Sequence, residues 1–253
     1  MLKTATEIVS ESWHLYANNW RKLVPYLAII FLPTLILSLL GVVSLYLEVY
    51  MPQSSMATNL LIMLVLAASF VLNLWASIAI AKALSAHILG QQPTAWKETF
   101  TSSSHLIWPL IYTSIFMGLI VMGGFILLFV PGLIFAVWYN FYFYSLIFEN
   151  KKGMSALAAS KALVVGRWWP IAWRLVAPTF IFGVLNLALV MGLSTLVKLL
   201  SLSQFIEMTA SSTLTSLAGV ITAPLSMGAA LILYYSAKQN PVASVPEDNP
   251  PKV

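Results

Sequence analysis

The chain has no cysteine, three histidines and a single aspartate among its 253 residues. Disulfides, zinc–thiolate sites and iron–sulfur clusters are therefore excluded. The stock of side chains for metal binding or proton transfer is thin. Charge is scarce as well: 8% of residues are Asp, Glu, Lys or Arg, against about 25% in soluble domains. No GxSxG, HExxH or GxxxxGK[ST] occurs, which removes the nucleophile elbow, the helical zinc pair and the phosphate loop. No catalytic residue, metal ligand or cofactor site is expected.

What is abundant is apolar surface, at 60% of residues. No water-soluble fold could hide so much, so lipid must be the solvent for most of the chain. Uncharged runs occupy 23–47, 59–81, 106–130, 175–197 and 213–236, each near the roughly 20 residues a spanning helix needs. A further run, 133–148, is short, and Pro131-Gly132 ahead of it reads as a tight turn. The expected fold class is all-α: a polytopic membrane bundle of six transmembrane helices with short cytoplasmic amphipathic helices. A re-entrant hairpin over 106–148 is the alternative. The first run follows Arg21-Lys22 as a signal peptide would, but it is too long and its end, "SLYLEVYMP", has no small-residue cleavage site. It reads as a retained span.

The net charge is +5, yet the cations stand at the ends of apolar runs rather than on a polar face. No nucleic-acid surface is expected from that layout. Six spans would put every Lys and Arg except Lys198 on one side. The positive-inside rule makes that side cytoplasmic, with both termini there, in an inner or plasma membrane.

Three segments lie on that side. Residues 1–22 read as an amphipathic helix with Ala5, Ile8, Val9, Trp13, Leu15, Tyr16 and Trp20 on its apolar arc. The second segment breaks at Pro93, and Thr94 can cap a short helix after it. In the third, "FENKKGMSALAASKALVVGRWWP", the residues Ser155, Ala159, Ala162 and Gly166 recur at i, i+4, i+7 and i+11. That stripe is a candidate helix-packing face. Each segment enters an apolar hairpin through tryptophan and proline (Trp20 with Pro25, Trp108-Pro109, Trp169-Pro170), a weak internal repeat. Domain boundaries are then 1–22, a membrane domain over 23–238, and a Pro-rich, disordered tail over 239–253.

Inside the spans the polar residues are few. Asn73, Asn140 and Asn186 should face one another or a wet cavity, because a bare amide is costly against lipid. Tyr139 lies deep enough for its hydroxyl to need a protein partner. These four form the candidate polar cavity. Pro33, Pro178 and Pro224 fall within runs and favour kinks.

The stretch "FVPGLIFAVWYNFYFYSLIFENKKGMSALAASKALVVGRWWPIAWRLV" resembles the membrane domain fused to some bacterial glycerophosphodiester phosphodiesterases, and the related stand-alone YciC-type six-helix proteins. Pro131, Gly132, Glu149, Gly153, Ala156, Leu157, Ser160, Leu163 and Gly166 carry the pattern. Two lysines in the polar turn and Lys161 after the serine depart from it. Too few residues lie outside the membrane runs for a phosphodiesterase domain, so the resemblance implies a membrane location and no enzymatic activity.

The leading functional expectation is a non-catalytic membrane module, organising the envelope or docking a partner. Its partners would be membrane lipids and a second membrane protein or copy. A transporter or lipid-handling protein is the second reading, and requires one cavity linking Asn73, Asn140 and Asn186. An intramembrane enzyme is third, and requires His87 or His105 beside Glu98 or Glu149 in a closed pocket.

Overall fold

The computed structural model describes residues 2–50, 55–92, 94–200 and 203–241. Backbone in lipid must bond to itself, and the helix does so locally. Among the described residues there are nine α-helices, a 3-10 turn at Ser104–Leu106 and no strand. Four helices are long: α1 (Ala5–Tyr50), α2 (Ser55–Ile88), α8 (Trp168–Leu199) and α9 (Gln204–Gln239). At 46 residues α1 extends about 69 Å, well beyond a hydrocarbon core of about 30 Å. Between α2 and α8 come α3 (Trp96–Thr101), α4 (Ile107–Leu127), α5 (Phe129–Trp138), α6 (Tyr142–Glu149) and α7 (Met154–Val164). Six helical segments are long and apolar enough to cross a membrane, so the all-α, multi-pass class holds.

The organising element is α9. It packs against both α1 and α8, while α1 also packs on α2. Within its apolar window 56% of residues are buried, against 11–28% in the other five candidate spans. Leu225, Ala229, Leu231, Leu233, Tyr234 and Ala237 all lie in its buried C-terminal half. Burial against protein rather than lipid gains little hydrophobic free energy inside a membrane, so close packing and hydrogen bonds hold the contact. Ser12 shows both: its hydroxyl donates to the Leu225 carbonyl at 2.6 Å, and it sits against Gly228, where an added Cβ would lie 2.9 Å from its Oγ.

That close approach changes the reading of the N-terminal segment. The helix runs unbroken through Arg21, Lys22 and Pro25, so the polar segment and the first apolar run are one element. Its buried side is Ile8, Ser12, Leu23 and Tyr26. Of the expected apolar arc, Ile8 is buried against the bundle, whereas Trp13 and Trp20 are 48% and 49% exposed. An indole cannot fit where two backbones meet over a serine and a glycine.

The α4–α5 hairpin also differs in detail. Its break falls at Leu128, in extended conformation (φ −162°, ψ 147°), not at Pro131-Gly132. Pro131 is the third residue of α5, as Pro109 is of α4 and Pro170 of α8. The first N–H groups of a helix have no internal partner, so proline costs nothing there. Gly132 lies against α4: a Cβ on Gly124 would be 2.7 Å from the Phe135 ring, and one on Gly132 would enter the ring of Phe125. The short run expected as one helix over 133–148 is two, because α5 ends at Trp138 and α6 begins at Tyr142. Thr94 is not the cap of α3; Ala95 holds that position, and the Thr94 hydroxyl meets that of Thr99 at 2.8 Å. Pro93 and residues 242–253 lie outside the described residues.

Candidate functional site

The interruption between α5 and α6 leaves backbone groups without helical partners, and Ser160 of α7 supplies them. Its hydroxyl accepts from the Phe141 N–H at 2.9 Å and donates to the Trp138 carbonyl at 2.7 Å. The side chain is fully buried. It is held there by a turn with two left-handed residues, Asn150 (φ 54°) and Gly153 (φ 56°). Gly153 has a second reason to be glycine, since a Cβ would press on the Tyr112 ring at 3.3 Å; its N–H donates to Thr113 Oγ1 at 2.8 Å. The Lys161 ammonium lies 4.4 Å from the Trp138 ring centre, a cation–π contact on the other side of the break.

Beside this junction lies the charged end of the bundle. Glu149 accepts from the Tyr234 hydroxyl at 2.6 Å and pairs with Lys151 at 2.9 Å and Lys238 at 3.1 Å. Tyr234 also packs its ring among Phe141, just ahead of α6, and Tyr144 and Phe148 within it. Arg167 donates to the carbonyls of Leu163, Ala237 and Asn240, closing the C-terminal ends of α7 and α9 together. Burial lowers its pKa, but a guanidinium stays charged at any ordinary pH. Arg174 donates to the Lys3 carbonyl at 2.6 Å, and the Lys3 N–H donates to Ser236 Oγ at 3.0 Å. Residues 3 and 240 therefore sit at the same end of the molecule.

A groove of about 730 Å³ opens between α5 and α8. Leu133, Val137 and Asn140 form one wall; Trp169, Trp173, Val176 and Phe180 form the other. Its floor is fixed by Trp168, whose indole N–H donates to the Ile134 carbonyl at 3.3 Å. Trp169 and Trp173 are 71% and 58% exposed, and neither indole N–H bonds to any described residue. Together with the open Asn140 amide they make an apolar trough with a polar rim.

The expected polar cavity does not form as one space. Asn140 lines the α5–α8 groove. Asn186 accepts from Thr222 Oγ1 at 3.1 Å, a bond between α8 and α9. Asn73 lines a different cavity, between α1, α2 and α9. Tyr139 makes a ring contact with Phe135 at 6.2 Å, and its hydroxyl has no partner among the described residues. The expected packing stripe also points elsewhere. Ser155, Ala162 and Gly166 are exposed and Ala159 is half-buried, while Ala156, Leu157, Ser160 and Val164 are buried. Gly166 has φ 81° and ends the segment rather than continuing its face.

His87 lines a cavity with Lys22, Tyr26 and Trp96, whereas His105 and Glu98 are exposed and Glu149 is taken up by its cluster. These four do not converge. The residue that sequence reasoning missed as a site is Ser160. Its signal was a lone hydroxyl on a face shared with Ala156, Leu157 and Val164. Compared with protein-family models, curated proteins and solved structures, the chain matches none of them.

Proposed function

We propose that the protein is a non-catalytic, multi-pass module of the cell membrane that holds membrane lipid in the α5–α8 groove and so organises the bilayer around it. The groove itself carries this reading. Its volume of about 730 Å³ is in the range of small-molecule sites, its walls are apolar, and its polar rim suits the head-group level where tryptophan collects. The charged end, with residues 3 and 240, is assigned to the cytoplasm on the strength of the Lys/Arg bias. The likeness to the phosphodiesterase-fused membrane domains agrees with a membrane location and lends no activity.

Native mass spectrometry of protein released from mild detergent tests this. Wild type is expected to retain one or more phospholipids, and Val176→Trp, which fills the groove from an exposed position, to retain several-fold less. Equal lipid on both proteins would defeat the proposal. So would a protein partner that binds wild type and is lost from the variant.

A further inference from the structure

The cavity that contains Asn73 holds about 310 Å³ between α1, α2 and α9. Thr34, Asn73, Ser77 and Ser216 are its polar side chains. Thr34 and Asn73 stand well inside the uncharged runs 23–47 and 59–81, at the depth of the hydrocarbon core.

The hydroxyl protons here are already committed. Thr34 Oγ1 donates to the Phe31 carbonyl at 2.6 Å, Ser77 Oγ to the Asn73 carbonyl at 2.8 Å, and Ser216 Oγ to the Ser212 carbonyl at 3.0 Å. What these oxygens offer the cavity is lone pairs. Pro224 adds another acceptor, since it has no N–H to give the Val220 carbonyl one turn before it, and both residues line the same wall. Asn73 lines this space and is exposed, and its amide bonds to no described residue.

An apolar cavity stays dry, but a roomy one with several polar partners holds water. An amide and four acceptors facing hydrocarbon would be a standing cost. We propose that this cavity is a hydrated binding site at mid-bilayer depth, taking water and small neutral or cationic molecules that donate hydrogen bonds. With no cation in its walls and the Asn73 amide its only free donor among the described residues, it disfavours anions. A second cavity, of about 370 Å³, shares Ser77 and Met227 with the first. It carries the hydroxyls of Ser226 and of the Ser114–Tyr142 pair, 3.0 Å apart. The line of oxygens thus continues toward α6 and the charged end.

The absence of cysteine makes the test clean, because any thiol introduced is the only one. A thiol reacts with methanethiosulfonates as its thiolate, which forms in water and not in lipid. Ser216→Cys is expected to react with a small cationic methanethiosulfonate in intact membranes at least tenfold faster than Leu187→Cys, which points out of α8. The anionic sulfonate reagent should be slower at Ser216→Cys than the cationic one. Both variants must react fully once unfolded in SDS. Thr34→Cys reads the opposite wall should Ser216→Cys fail to fold. Equal rates for the cavity and lipid-facing thiols, or equal rates for both reagents, would overturn the proposal.

Discussion

A serine hydroxyl has one proton and two lone pairs, and Ser160 spends one of each on backbone groups three residues apart in the α5–α6 junction. Removing it strands the buried Phe141 N–H and the half-buried Trp138 carbonyl, which costs about 1–3 kcal/mol. Ser160→Ala should therefore lower the melting temperature in detergent by several degrees, while the exposed Ala162→Ser should leave it unchanged. A fall shared by both would mean that α7 is merely intolerant of change. An unchanged Ser160→Ala would mean that water replaces the hydroxyl. At this scale the sequence is a poor guide. Ser160 was visible only as one position of the pattern that carries the family resemblance, yet nothing in its neighbours announced that the helix before it would be cut.

Elements were legible where lipid imposes a single demand. A run must be long, uncharged and self-bonded; the runs 23–47, 59–81, 175–197 and 213–236 each lie on one helix, while 106–130 and 133–148 are each broken once. Which face of a helix turns inward was much less legible. In a soluble protein the apolar stripe marks the core, but in a membrane the lipid-facing side is apolar too, so periodicity loses its contrast. The α7 stripe shows this: small residues occupy both faces, and the turn at Asn150–Gly153 sets which one is buried. Pro131 misled for a related reason, since proline marks either the end of one helix or the first turn of the next. The glycines of the hairpin make the contact testable. Gly132→Val drives a side chain into Phe125 and should cost about 1–3 kcal/mol as an overpacked core does. Gly123→Val has open space around it and should cost little. The two variants can be compared by thermal unfolding and by proteolysis of the 124–130 tip.

For the whole molecule, the sharpest statement is the register of α1 against α9. Lys3 meets Ser236, and Ser12 meets Leu225 and Gly228, so nine residues along one helix match about nine along the other in the opposite sense. A Cβ built on Gly228 lies 3.9 Å from that of Ser12, close to the mean for a disulfide. Ser12→Cys with Gly228→Cys should therefore cross-link under mild oxidation in membranes, and cleavage of an intervening loop should then leave the two fragments joined. Separation of the fragments would refute the register. Pairing of this kind was beyond the sequence, which gives Ser12 no distinguishing mark. The side on which the two ends lie together was hinted at by the Lys/Arg bias alone.

The dominance of α9 has a consequence for how the molecule is made. Helices enter a membrane in chain order, and α9 is the last of the described helices to arrive. Until it does, the faces of α1 and α8 that it covers have only lipid or one another to meet, the Ser12 hydroxyl lacks its acceptor, and Glu149 lacks its tyrosine. The α1–α2 and α4–α5 contacts can form earlier, so assembly of this bundle ends in a closing event. Its earlier helices must wait, inserted but unlocked, for the one that fits between them.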